Sequence, residues 1–139
     1  MIVLDTSVLS ELMRPVPNVQ VLAWVDDQPA SELAITAINV AEILYGIGRL
    51  ANGKREQGFQ AHAMAIFEED FADNILPFNA KAAVHYAALM ATSEAAGWPT
   101  SMADGQIAAI CQLYRTSIAT RNVRDFKHFN LPILNPWDA

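Results

Sequence analysis

The stretch Met1-Ile2-Val3-Leu4-Asp5-Thr6 decides the fold. Ile2, Val3 and Leu4 form an apolar run too short for a helix and suited to a strand buried on both faces. Asp5 falls where that strand stops, so a carboxylate is aimed off its end. In open α/β folds ligands bind in the crevice outside the carboxyl ends of the strands. One carboxylate makes no site, and Asp5 needs partners from elsewhere in the chain.

Beyond Thr6 the sequence alternates helical and strand patterns. Residues 7–13 read as a short helix that Pro15 and Pro17 break, and Asn18 caps a second over 19–27. Leu33 to Thr36 reads as a second strand, with Thr36 the N-cap of an apolar helix over 37–51. Asn52-Gly53 signals a turn before a long helix over 54–73, whose Phe59, Ala63, Ile66, Phe67 and Phe71 recur at helical spacing. Its Glu68, Glu69, Asp70 and Asp73 read as a solvated face. Residues 75–78 form a third strand, Asn79 caps a helix over 80–96 closed by Gly97, and 104–114 form another helix. Strands over 117–120 and 131–134 complete the pattern. With no repeat and no long linker, the alternation predicts one domain over 1–139, built on a mainly parallel sheet of about five strands covered on both faces.

A chain of 139 residues is long enough for a real core without staples. The lone Cys111 has no partner for an internal disulfide and reads as a buried thiol in a reducing compartment. Asp5 and Glu11 interrupt any signal-like apolar region, and no apolar run approaches the roughly 20 residues of a membrane span, so a soluble, cytoplasmic protein is expected. The net charge of −6 argues against a broad basic surface that holds nucleic acid by phosphate neutralisation. It leaves open a nucleic-acid enzyme whose carboxylates hold cations, because a bound metal reverses the local field. Arg115, Arg121, Arg124 and Lys127 crowd one late segment.

Three further acids stand where Asp5 could meet them. Glu42 has Ile38, Tyr45 and Gly46 as helical neighbours and lies on an otherwise apolar face; the plain alternative is an approach to Arg49. Ser101-x-x-Asp104 resembles a capping box, yet Asp104 shares its stripe with Ile107, Ala108 and Cys111, and both readings stand together. Asp125 follows the fourth strand as Asp5 follows the first; an ion pair with Arg121 or Arg124 is the plain alternative. Two carboxylates 4 Å apart repel by about 4 kcal/mol at an effective dielectric near 20, so such a cluster takes up protons or holds a cation. An all-oxygen set suits Mg²⁺ or Mn²⁺, which activate water and stabilise charge on a phosphodiester, through one ion or two.

Val3-Leu4-Asp5-Thr6-Ser7, Ala41-Glu42, Ala103-Asp104-Gly105-Gln106-Ile107-Ala108-Ala109 and Thr120-Arg121-Asn122-x-x-Asp125-Phe126 resemble the four acidic motifs of PIN-domain proteins. Their order and spacing resemble the VapC-like toxins, and the closing segment from Phe129 to Asn135-Pro136-Trp137 is similar to the FitB-like branch. The resemblance covers the whole chain. It implies a three-layer α/β/α fold with strand order 3-2-1-4-5, and a Mg²⁺- or Mn²⁺-dependent endoribonuclease leaving 5′ phosphate and 3′ hydroxyl ends. It implies Asp5, Glu42 and Asp104 as the core metal ligands and catalytic acids, with Asp125 as the fourth and Asn122 beside it. As partners it implies RNA substrate, a small DNA-binding antitoxin, and a homodimer that pairs again in the complex. Thr6 and Thr120 either hold a ligand carboxylate or water, or are plain strand-end threonines. Two other readings are a non-cleaving PIN scaffold that binds RNA or protein, and another Mg²⁺-dependent phosphotransfer enzyme. The dehalogenase-like form of the latter needs a second Asp where Ser7 stands.

Overall fold

Strand β1 (Ile2–Leu4) lies at the centre of the sheet because side chains on both its faces are apolar. The computed structural model describes residues 1–50 and 53–139. Around β1 stand β2 (Leu33–Thr36), β3 (Ile75–Leu76), β4 (Ser117–Ala119) and β5 (Ile133–Leu134), in the order β3-β2-β1-β4-β5 with every pairing parallel. This is the order the family resemblance implies.

The two-residue period of the strands divides the core. Val3, Ala34 and Ile118 face one side, where α5 (Ala80–Ala95), α6 (Met102–Tyr114) and α7 (Val123–Phe126) pack with Leu89, Ile107, Ile110 and Phe126. Leu4, Ile35 and Ala119 face the other. There they meet α1 (Thr6–Leu12), α2 (Val19–Asp26), α3 (Ala37–Gly48) and α4 (Gly53–Ala65) through Val8, Leu9, Val21, Ile43 and Ala63. The result is the three-layer arrangement, with the central strands sealed on both sides.

Differences from the sequence expectation lie at element ends. The helix expected over 37–51 ends at Gly48 with Arg49 as its C-cap. Ala51 and Asn52, where its predicted end and the predicted turn fall, lie outside the described residues. The helix expected over 54–73 is α-helical only to Ala65 and then widens into a π-helical turn, Ile66–Asp70. That turn brings Ile66, Phe67 and Phe71 together onto the core, while Glu68, Glu69 and Asp70 stay in solvent as expected. β3 stops before Pro77, which has no N–H for the ladder. Helix α6 starts at Met102, two residues earlier than its pattern indicates, because Ser101 caps it. Gly105, in its first turn, admits α5 at close range: a Cβ there would stand 2.6 Å from Met90 Sδ and 3.0 Å from Tyr86 Cε2.

One acid that its sequence setting does not single out is buried. Glu11, 6% exposed, accepts from Asn18 N–H at 3.0 Å and from Arg14 at 3.1 Å, and so fastens the α1–α2 turn. Arg14 is solvated, so the backbone bond carries most of the value. Glu11→Ala should cost about 1–3 kcal/mol, read as a lower urea midpoint with an unchanged slope. A midpoint equal to wild type would show that the turn holds without it.

Candidate active site at the carboxyl edge of the sheet

Strand register sets the first contact. Leu4 pairs with Ala119, and Asp5 N–H donates to the Ala119 carbonyl at 2.9 Å, so the next residue of β4's exit, Thr120, stands beside Asp5. The Thr120 hydroxyl donates to Asp5 Oδ2 at 2.8 Å, and Ser7 Oγ lies 3.4 Å from the same oxygen. Asp5 occupies the N-cap position of α1, but its carboxylate makes no cap bond. Helix capping therefore does not account for it. At 4% exposure, burial pushes its pKa up; the Thr120 hydroxyl and the Thr6 N–H work against that, and the negative charge of Glu42 adds to it.

Glu42 is aimed by a chain of hydrogen bonds that begins at β2. Thr36 and Asn39 form a reciprocal capping box at the start of α3, both fully buried. Asn39 Oδ1 accepts from the Thr36 N–H and hydroxyl, which leaves its Nδ2 to donate to Thr6 Oγ1 at 3.0 Å. With its oxygen accepting from Asn39, Thr6 turns its proton to Glu42 Oε1 at 2.7 Å. Glu42 makes no ion pair with Arg49, whose guanidinium lies 5.7 Å from the Tyr45 ring centroid. The plain alternative for Glu42 is thus excluded, and both threonines hold site carboxylates.

Asp104 sits half-buried in the first turn of α6, its N–H donating to Ser101 Oγ at 3.1 Å. The cap is real, and it joins the backbone N–H of Asp104 to the side chain of Ser101. Burial pushes the Asp104 pKa up; Ser101 opposes the shift, and the charges of Asp5 and Asp125 add to it. Asp125 is exposed on α7 and pairs with neither Arg121 nor Arg124. Arg121 instead lies 5.1 Å from the Trp137 ring centroid. Asn122 N–H donates to Thr120 Oγ1 at 3.0 Å, while its side chain makes no cap bond.

The four predicted acids thus converge on one edge: Glu42 acts on Asp5, and Asp5 and Asp125 act on Asp104. As placed, no three His, Cys, Asp or Glu side chains among the described residues are grouped closely enough to hold one ion. Mutual repulsion between like charges favours that spacing. Asn39 and Ser7 are the participants that sequence reasoning missed; for Asn39 the Thr36-x-x-Asn39 spacing was the available signal. Cys111 is buried as expected, and burial pushes its thiol up to about 12.

The family model for the PIN domain matches residues 2–130. The chain belongs to the PIN-domain family. It is 40% identical to VapC ribonuclease Y4jK of Sinorhizobium fredii over 99% of each chain. It is 36% identical to Toxin FitB of Neisseria gonorrhoeae, again over 99% of each. A solved structure of FitAB bound to the IR36 DNA fragment superposes with a TM-score of 0.90 at 36% identity, covering 99% of this chain and 96% of that one.

The raised pKa values of this PIN domain carry a sign. Asp5 and Asp104 bind their protons more tightly folded than unfolded, so their contribution to stability is full below the unfolded value of 3.8 and is lost as pH rises through the folded values. In chelator, Asp5→Asn should gain melting temperature relative to wild type as pH is raised from about 4 to 8. A difference that stays flat or reverses would show that Asp5 ionises without strain.

Proposed function

We propose that this PIN domain is a Mg²⁺- or Mn²⁺-dependent endoribonuclease, the toxin of a type II toxin–antitoxin pair, cutting RNA to 5′ phosphate and 3′ hydroxyl ends. The observation that carries the reading is Asp5: a carboxylate 4% exposed, held by hydroxyl donors, with the charge of Glu42 bearing on it and its own charge bearing on Asp104. A structural acid would be matched by a cation, and none of these is ion-paired among the described residues.

The donor set fits a hard ion, being oxygen throughout, and its open spacing suits Mg²⁺, which keeps several waters. Asp5, Glu42 and Asp104 would hold it, with Asp125 at the rim. Such an ion supplies a water of lowered pKa and positive charge against the phosphodiester. The chain's own part is orientation. Thr120 and Thr6 fix which oxygens of Asp5 and Glu42 are engaged, leaving the others free to bind. Half-burial of Asp104 keeps bulk water from screening the cluster. Ser7 supplies no second carboxylate, so the dehalogenase-like reading lacks its acid.

The names of VapC ribonuclease Y4jK and Toxin FitB support the activity, and FitAB on DNA supports a DNA-binding antitoxin partner. An acidic site also suits an arginine-bearing antitoxin tail. A homodimer would cover exposed apolar side chains such as Tyr45 and Val84. No described helix is long and apolar enough to cross a membrane, which accords with a cytoplasmic enzyme.

Purified protein should cleave RNA in Mn²⁺ or Mg²⁺ and stop on chelation. Thr120→Val should lose roughly 10–100-fold, the usual cost of removing a group that orients a ligand, and Asp5→Asn or Asp104→Asn should lose more. Wild-type cleavage by either folded Asn variant would defeat the assignment.

A further inference from the structure

Trp98 is 48% exposed, and its placement is built. Helix α5 ends with Gly97 at φ 74°, a conformation that favours glycine. Gly97 N–H donates to the Glu94 carbonyl at 3.1 Å and Trp98 N–H to the Ser93 carbonyl at 2.9 Å, the paired bonds that lock a helix C-terminus. The Trp98 ring lies 5.0 Å from that of His128, and His128 4.0 Å from Phe129. Thr100 Oγ1 lies 3.0 Å from His128 Nε2, joining the loop before α6 to the turn after α7. The first segment leads into α6, which carries Asp104, and the second follows α7, which carries Asp125, so the indole stands where the flanks of those two helices meet.

The chain just before His128 carries cations. Arg124 and Lys127 are exposed and have no carboxylate within ion-pair distance among the described residues, in a chain whose net charge is −6. Free cations in the segment whose His128 packs on a half-exposed indole suit single-stranded nucleic acid, whose phosphates follow the charges and whose unpaired bases stack. A duplex keeps its base faces covered and would gain only the phosphate contacts.

We propose that Trp98, backed by His128, is a stacking subsite for a base of single-stranded RNA flanking the cleaved bond, with Arg124 and Lys127 along the phosphate path. The inference rests on the endoribonuclease reading and adds where the substrate strand leaves the acids. Stacking is indifferent to the identity of the base, so the subsite selects single strands over duplex rather than one sequence.

The test uses the full chain on a single-stranded RNA that it cleaves in Mn²⁺. Trp98→Ala should raise KM about tenfold with kcat little changed, and Trp98→Phe should restore most of the loss. Separately, in chelator, single-stranded RNA should quench tryptophan fluorescence of wild type but much less that of Trp98→Phe, which keeps Trp24 and Trp137. A Trp98→Ala KM equal to wild type, or undiminished quenching in Trp98→Phe with its melting temperature unchanged, would overturn the subsite. An unchanged KM with loss of antitoxin binding would assign the face to the protein partner and likewise overturn it. Failure of the ribonuclease reading looks different: wild type would cleave no RNA at all, and the quenching comparison alone would then decide whether the indole meets bases.

Discussion

The constraint on which the structure depends is the burial of one carboxylate at the end of its central strand. Moving an ionised carboxylate into a dry interior without compensation costs on the order of tens of kcal/mol, and a group so placed normally takes up a proton instead. Asp5 is displaced in that direction, as its raised pKa records, but it is not left bare. Its compensation comes from β4, through Thr120, and that residue is in reach only because β4 lies beside β1 in the register Leu4 to Ala119. Sheet order is therefore part of the site and not merely its scaffold.

Two hydroxyl relays flank Asp5, one on each neighbouring strand. On the β4 side, Thr120 accepts from Asn122 N–H and Ser7 accepts from Arg121 N–H, so each hydroxyl oxygen is engaged and its proton is turned inward. On the β2 side, Thr36, Asn39 and Thr6 pass the same constraint to Glu42. Each relay begins at backbone, one at the exit of β4 and the other at the cap of α3. A polar network satisfied in this way is rigid, which fixes acceptor oxygens that mutual repulsion would otherwise scatter. The acids and the hydroxyls that aim them are one unit, and neither half has a reason to be buried without the other.

The layers of this fold were legible because burial on both faces leaves a local mark: Ile2-Val3-Leu4 admits no other reading, and alternating helices force parallel strands. Strand ends and the π-helical turn at Ile66–Asp70 were not, since they depend on Pro77 and on the packing of three large side chains against a sheet defined elsewhere. Each candidate acid was visible singly, with a plain explanation at hand. Their convergence was not contained in local pattern, because it requires strand order, and only resemblance to a family supplied that. Glu11 escaped for a different reason: nothing in its local pattern marks it, and its burial arises from the α1–α2 turn folding back over it.

At the fourth corner of the candidate site, Asn122 and Asp125 make different interactions. Asn122 acts through its backbone, donating to the hydroxyl that in turn holds Asp5, and any residue with an N–H could do the same. Asp125 acts through charge, which reaches Asp104 although the side chain itself is solvated. Without an ion pair to Arg121 or Arg124, its charge is not cancelled locally. An acid so placed adds negative potential at the mouth of the cluster without adding to its desolvation, a part that an uncharged asparagine at 122 cannot play.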